Sequence, residues 1–446
     1  MDDRTLFRYG PDYTASGLKT ALDWSVWPGA FQGAVEMCNN NGACRKLEGG
    51  VMCPYRATRN EIDVTRGRAN TLRLALSGQL GPDALASDAM ADTMKLCVSC
   101  KACRRECPTG VDMAKMNIEV LAARRVTHGL SLRDRLIAYL PRYAGGASRL
   151  APLTNLRNRS PWLRNTLETF ASIDLRRDLP RWQHDIFAPS AGAVGAPDGP
   201  EVVLFADTFN GHFERENLDA ALRVLVMAGY RVHLPHPRDQ RPLCRGRTFL
   251  SAGLVDEARI ELDRLVETYA PFTARGVPVI GLEPSCLLRD ELLSLRPDDA
   301  AKTVGAHAVP FEEFLAREAV SGRLTLPLNP VTNAALVHGH CHQKVFDAFT
   351  PTLQVLRLIP NLAVTPIEAS CCGIAGAFGY GADTYETSIA MAEASLLPTV
   401  RGADTATLVV ADGISCRHQI RDGSGRTALH AARVLAMSLD NASASS

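Results

Sequence analysis

The sequence has almost no net charge, no long apolar run and none of the common nucleotide-binding or nucleophile patterns. Its 446 residues carry 49 Lys and Arg against 48 Asp and Glu, a formal +1, so global charge favours neither nucleic acid nor a polyanionic ligand. No stretch approaches the ~18 consecutive apolar residues of a membrane span. The opening Met1-Asp2-Asp3-Arg4 is acidic and has no apolar segment behind it, so a soluble, cytoplasmic protein is expected. No Walker sequence, no Ser/His/Asp arrangement and no flavin or nicotinamide fingerprint occurs. The nearest approach, GIAGAFGYG with Gly376, Gly379 and Gly381, is not GxGxxG and follows no clean strand; packing of this turn against a neighbouring loop is its expected role.

Cysteine, by contrast, is abundant. Thirteen cysteines fall mostly in short-spaced groups, which points to metal ligation in a reducing compartment rather than to disulfides. Cys97, Cys100, Cys103 and Cys107 stand in CVSCKACRRECPTG, the spacing that wraps a chain around a cubane [4Fe–4S] cluster. Three close thiolates take three irons, and Pro108 turns the chain away so that the last cysteine can reach a second cluster. A zinc site also uses C-x2-C spacings, but four cysteines in so short a run followed by proline favour iron.

An upstream set, Cys38, Cys44 and Cys53 in EMCNNNGACRKLEGGVMCP, has Asn41 where a second cysteine would stand and a looped insertion with Gly49 and Gly50 before Cys53-Pro54. If ligands are exchanged as in two-cluster ferredoxins, Cys53 completes the cluster of Cys97, Cys100 and Cys103, and Cys107 joins Cys38 and Cys44. That second site is then a [4Fe–4S] cluster with Asn41 or water as fourth ligand, a [3Fe–4S] cluster, or a set of buried free thiols.

Along the chain, 69–80 and 84–96 read as helices around a Gly81-Pro82 turn, and Met113 to Val126 as a third. Between Ser131 and Trp182 ten arginines face four acidic residues and are interleaved with apolar ones. Two basic amphipathic helices broken at Pro141 and Pro161 fit, suited to a linker, a docking surface or an anionic membrane. Residues 183–200 are a small-residue linker. From Glu201 short β-branched runs alternate with helical ones twice over: Val202 to Phe205, Arg231 to Leu234 and Val277 to Ile280, then Ala335 to Val337, Thr365 to Ile367 and Thr407 to Val410. Cys244 and Cys286 are spaced nearly as Cys372 and Cys416, which argues for two copies of one α/β module with cysteine loops after the strands, where open α/β sheets bind ligands. The second copy carries Cys341, Cys371, Cys372 and Cys416 with His338, His340, His342 and His418; the first keeps only Cys244 and Cys286, with Arg245 in the place of Cys372 and Phe209 or Asn210 in that of Cys341. Adjacent thiolates suit neighbouring irons better than one tetrahedral ion, although zinc also takes Cys and His.

The expected architecture is multidomain, α plus α/β: a connector 1–35, a helical ferredoxin-like dicluster domain 36–130, a basic helical linker 131–200, and two cysteine-rich modules, 201–328 and 329–440. Together these residues resemble the iron–sulfur subunits of FAD-linked 2-hydroxyacid dehydrogenases, with Cys371-Cys372-Gly373 as the mark of the duplicated domain. CNNNGACRK, MCPYRATRNE and TRGRAN resemble more closely the carboxyl half of fused flavin and iron–sulfur dehydrogenases acting on D-2-hydroxyglutarate or D-lactate, which suggests a split gene or a fragment. The resemblance implies an oxidoreductase component without a flavin site of its own. It implies at least one [4Fe–4S] cluster, a further iron–sulfur or zinc group at the triplet, an FAD-containing partner subunit acting on D-lactate, glycolate or D-2-hydroxyglutarate, and a quinone or cytochrome acceptor. With no nucleic-acid motif, no nucleic-acid partner is expected, and the basic helices of 131–182 leave peripheral contact with the inner membrane open. The domain is shared with the heterodisulfide reductases, but Cys416-Arg417-His418-Gln419 lacks the second cysteine that follows the triplet in those enzymes. A thiol–disulfide reductase and a non-catalytic iron–sulfur sensor are the alternative readings.

Overall fold

The computed structural model describes residues 18–48, 54–188, 192–235, 241–284, 288 and 291–440. The amino-terminal part is helical. The helices run Ala30–Glu36, Thr65–Leu76, Asp88–Met94 and Met113–His128. The helix expected over 84–96 starts late because Ser87 caps it, its hydroxyl accepting from Met90 N at 3.2 Å, as expected of an N-cap serine. Glu119, buried on the long helix, accepts from Ala21 N, Leu22 N and Trp24 Nε1 at 2.7–2.8 Å, fastening the preceding segment to the helical core.

The basic segment forms more helices than the two expected: Leu132–Ala138, Leu140–Arg149, Ala151–Thr154 and Pro161–Ala171. Pro141 and Pro161 sit in first turns, where a missing N–H costs nothing, so each proline starts a helix as well as ending the one before. Arg177, buried, reaches Gln419 Oε1 at 2.7 Å and Asp422 at 3.3 Å, which ties this segment to the carboxyl-terminal part.

Two sheets follow. The first contains β1 (Val194–Gly195), β2 (Glu201–Phe205), β3 (Arg231–His233), β4 (Val279–Gly281) and β5 (Ala308–Pro310) in the order β1-β3-β2-β4-β5. The second contains β6 (Ala334–His338), β7 (Ala363–Pro366), β8 (Leu408–Ala411) and β9 (Ala428–Leu429) in the order β7-β6-β8-β9. Apart from β1, which pairs antiparallel with β3, every pairing is parallel, and the two orders superimpose strand for strand. Strand alternation divides the core. Val203 and Phe205 of β2 pack with the helix Val255–Thr273 and the amino-terminal helices, whereas Val202 and Leu204 join Ala335, Val337 and Val410 of the second sheet in one shared core. Successive side chains of a strand point to opposite faces, so one strand holds both halves of the molecule. β1, β5 and β9 were not among the expected strands: Val-Gly, Ala-Val-Pro and Ala-Leu contain no apolar β-branched run.

Candidate iron–sulfur site

The cysteine run is shaped by backbone conformation. Ser99 and Lys101 adopt φ of 49° and 60°, a left-handed state uncommon outside glycine, and the loop so curled turns Cys97, Cys100 and Cys103 onto one cavity. Cys44 lines the same cavity, as does Pro54; Cys53, next to Pro54, lies outside the described residues. The short helix Ala102–Glu106 carries Cys103 and ends as Cys107 N donates to Cys103 O at 3.0 Å. Lys101, buried, is neutralised by Glu291 at 2.5 Å.

The donor chemistry suits a cationic cluster. Burial pushes the Cys97 thiol up, and pushes Cys103 well up, helped there by Asp112 and the neighbouring Cys100 and Cys97. Ionised sulfurs so crowded require a positive centre among them, as iron supplies. Cys107 behaves differently. Burial opposes its ionisation, but the Thr109 hydroxyl and the amides of Val111, Thr109 and Gly110 outweigh it and hold the thiol below its ordinary range. Cys38 is buried at the end of the first helix, its Sγ 4.0 Å from Asn40 Oδ1, and lies close enough to Cys44 for the two to repel as anions. Asn41 is committed elsewhere: its Oδ1 accepts from Ala43 N at 2.8 Å.

The second thiol group forms as the sequence pattern requires. Cys341 opens the helix Cys341–Val345 just after β6, Cys371 and Cys372 follow β7, and Cys416 lies on the helix Ile414–Ser424 after β8. His340 and Gln343 cap the first of these reciprocally, His342 N donating to His340 Nδ1 at 3.2 Å and His340 N to Gln343 Oε1 at 2.9 Å, as in a capping box. The four sulfurs form a chain, with Cys371 hydrogen-bonded to Cys341 and Cys372, and Cys372 to Cys416; these bonds and burial push Cys341 and Cys372 well up. His338 is buried beside Cys371 with neither ring nitrogen hydrogen-bonded, a costly state that a metal ligand would not suffer. The other histidines have partners: His342 Nε2 meets Ser99 O at 3.0 Å and His418 Nδ1 meets Tyr380 Oη at 2.9 Å.

Gly373 has φ of 92°, and a Cβ there would lie 2.2 Å from Ser388 O, so the triplet needs glycine for both conformation and space. The loop that follows β3 repeats this turn. Gly246 also has positive φ, and its N–H donates to Cys244 Sγ at 3.3 Å, as Gly373 N–H does to Cys371 Sγ at 3.4 Å. Cys244-Arg245-Gly246 is thus the counterpart of Cys371-Cys372-Gly373. The counterpart of Cys341 is Thr208, not Phe209 or Asn210, because Asp207 caps the helix Thr208–Phe213 where His340 caps the other. Cys286 lies outside the described residues.

The two thiol groups adjoin: Val98, Cys100 and Ala102 share one buried core with Cys341, Cys371, Cys372 and Cys416. Neither is drawn tight about a single ion. Among the described residues the set of three ligand atoms lying within 4.8 Å of one another is Glu312, Asp412 and His430, whereas zinc bonds of ~2.3 Å would bring thiolates nearer than that. That acidic set is closed, because His430 Nε2 faces Leu282 O at 3.2 Å and its Nδ1 accepts from Ala432 N at 3.1 Å.

Residues 34–111, which hold Cys38, Cys44, Cys53 and the run from Cys97 to Cys107, match the 4Fe-4S dicluster domain family. The chain is accordingly an iron–sulfur protein that binds [4Fe–4S]. Over 317 residues it is 29% identical to one of the subunits of the anaerobic glycerol-3-phosphate dehydrogenase of Escherichia coli K12, covering 69% of this chain and 78% of that protein. It is 25% identical to the D-2-hydroxyglutarate dehydrogenase of Pseudomonas putida, across 94% of this chain and 44% of that enzyme, and 23% identical to that of Escherichia coli K12, across 91% and 43%. The chain thus spans less than half the length of the D-2-hydroxyglutarate dehydrogenases it matches. Both kinds of relative agree with the sequence resemblance.

Proposed function

We propose that this chain carries electrons from a flavin-dependent 2-hydroxyacid dehydrogenase, one acting on D-lactate, glycolate or D-2-hydroxyglutarate, to a quinone or cytochrome. Cys53, Cys97, Cys100 and Cys103 would hold one cluster, and Cys38, Cys44 and Cys107 would contribute to a second. Cys341, Cys371, Cys372 and Cys416, with His338, would hold a further iron–sulfur group, leaving Cys244 and Cys286 as the remnant of the same site in a first copy of the module. We assign the connector, dicluster domain, linker and two modules to 1–35, 36–130, 131–200, 201–328 and 329–440. Flavin performs two-electron chemistry, and bound iron–sulfur clusters accept and release one electron at a time.

The observation that carries this reading is the seam between the two thiol groups. His342, next to Cys341, bonds to Ser99 O at 3.0 Å, next to Cys100, and Cys100 and Cys341 share a buried core. This chain's own part is to hold the two groups in contact and keep water from between them. The disulfide-reductase alternative is disfavoured by Cys416-Arg417-His418-Gln419, which lacks the second cysteine that follows the triplet in the heterodisulfide reductases. Mixing the anaerobically purified chain with a flavoprotein dehydrogenase encoded beside it is expected to yield hydroxyacid-dependent dye reduction that neither gives alone; absence of any such activity with all three hydroxyacids would refute the reading.

Trp162 and Phe170, each 71% exposed, and Leu153, 62% exposed, lie among the arginines of 131–182 and support contact with an anionic bilayer. Flotation with vesicles rich in anionic lipid is expected, and loss of it in Trp162→Ser/Phe170→Ser. Equal flotation of this variant, or none of the parent, would remove this contact. Among the described residues no helix is long and apolar enough to cross a membrane.

A further inference from the structure

The cavity onto which Cys97, Cys100 and Cys103 turn has two cationic side chains among its described lining residues, Lys101 and Arg68. Both are buried, and a buried charge is costly unless it is paired and its N–H groups find acceptors. Lys101 meets this demand through Glu291 at 2.5 Å, whose same carboxylate oxygen receives Arg247 Nη1 at 3.1 Å. Arg68 does not. Its Nε donates to Thr93 O at 3.1 Å, but Asp63 Oδ1 lies 3.8 Å from its Nη2, too far for a hydrogen bond. Asp63 is turned to another partner, its Oδ2 accepting from Thr58 Oγ1 at 2.6 Å. Arg68 Nη2 is therefore buried with no hydrogen-bond partner among the described residues.

The period of the helix Thr65–Leu76 puts this guanidinium where it is. Arg66 and Arg68, the two arginines of TRGRAN, are two positions apart, so their side chains leave on nearly opposite faces. Arg66 is partly exposed and is satisfied by Glu61 Oε1 at 2.7 Å. Arg68 faces the thiols: burial opposes the ionisation of Cys97 most strongly, and the charge of Arg68 is the foremost influence favouring it. A rigid fork of N–H donors with one end unanswered suits an anionic acceptor in the cavity. A [4Fe–4S] cluster on thiolates is such an acceptor. It is net anionic, its sulfurs accept hydrogen bonds, and reduction adds a further negative charge.

We propose that Arg68 donates from Nη2 to a sulfur of the cluster held by Cys97, Cys100 and Cys103 and raises the reduction potential of that cluster; this rests on the reading that assigns those three thiolates to one cluster. Net charge and hydrogen bonds to the sulfurs are what set such potentials, and away from water both act strongly. The electron added on reduction is stabilised by the Arg68 cation, while Asp63, beside that cation, subtracts from the effect. The step is a gain of one electron, supplied by dithionite in the test. Arg68 stays a cation throughout and gives up no proton.

The test is an anaerobic dithionite titration of the full chain, following the low-temperature EPR signal that Cys100→Ala abolishes, with iron and sulfide determined on every variant. Arg68→Met is expected to lower the equilibrium constant for reduction about tenfold or more, as loss of a hydrogen bond to a charged group implies, each tenfold being a fall of about 59 mV for one electron. Arg68→Lys, which keeps the charge, should recover part of that fall. Asp63→Asn should shift the potential upward, because it removes the anion beside Nη2 and still leaves an oxygen for Thr58. Damage to the loop would not move two neighbouring variants in opposite directions. With the cluster retained, parent-like potentials in Arg68→Met and Asp63→Asn overturn the proposal, and so does a fall in both. If Arg68→Met holds no iron, Asp63→Asn decides: a raised potential supports the proposal and an unchanged or lower one overturns it. If no signal depends on Cys100, the ligand assignment fails and this role with it. If one does and its potential ignores Arg68 and Asp63, the assignment stands and only the role of Arg68 is lost.

Discussion

Cys100→Ala is expected to abolish the low-temperature EPR signal of the dithionite-reduced protein and to lower its iron content by about four atoms per chain. Cys100 is the middle thiolate of the three that converge on the amino-terminal cavity, and it is also the one whose side chain reaches into the core of the second thiol group. A cubane holds poorly on the remaining sulfurs, and electron transfer across the seam would stop with it. The measurement is EPR with iron and sulfide determination on anaerobic material, beside circular dichroism to show that the helices persist. An unchanged spectrum and unchanged iron would remove Cys100 from the ligand set, and zinc in place of iron would overturn the cluster itself.

The second large effect is on stability. Arg417→Met is expected to destabilise the fold by about 3–5 kcal/mol, the cost of leaving one charge of a buried pair uncompensated. Arg417 follows Cys416 and is buried; its Nε donates to Glu214 Oε2 at 2.9 Å and its Nη1 to Ala411 O at 2.9 Å. Glu214 precedes the helix Arg215–Met227 of the first sheet's half, so the pair joins the two halves. Burial alone would raise the Glu214 carboxyl, but Arg417, by charge and hydrogen bond, outweighs it and holds Glu214 below the usual range. A carboxylate lowered in the folded state contributes stability at pH above its unfolded value, and that contribution is lost as pH falls through the lowered folded value. Urea unfolding at pH 7 and pH 4 should therefore show a larger acid-induced loss from this pair in the parent than in Arg417→Met. Glu214→Leu/Arg417→Met, which removes both charges, should regain much of the stability. A single variant as stable as the parent, or a double variant no better than the single, would show that the pair does not bind the halves together.

Much of this molecule was readable in the order of its residues, for reasons that are local. The cysteine run declares itself because a cluster takes its ligands from one tight loop. The six strands of the two passes were legible because β-branched runs bounded by turns carry their own signal; the spacing of Cys244 to Cys286 set Cys244 beside Cys372, whereas the matching turns align it with Cys371. What the reading missed has equally definite causes. β5 (Ala-Val-Pro) and β9 (Ala-Leu) hold no β-branched run. Thr208 took the place assigned to Phe209 or Asn210 because helix caps, not cysteine offsets, set the register. The isolation of His338 is invisible in sequence, since it depends on burial beside Cys371, which comes from the end of another strand.

Residue order alone set the chemistry available: soft sulfur ligands at cluster spacing, one intact triplet and one in which arginine stands for cysteine. Which of these meet was decided by tertiary structure. Cys100 and Cys341 are far apart along the chain, and only the packing of the Cys97–Cys107 loop against the end of β6 brings them into one core. Likewise Arg245 and Glu283 come from two loops and His342 from the helix Cys341–Val345, and all three line one cavity because that helix packs at the carboxyl ends of β2 and β4.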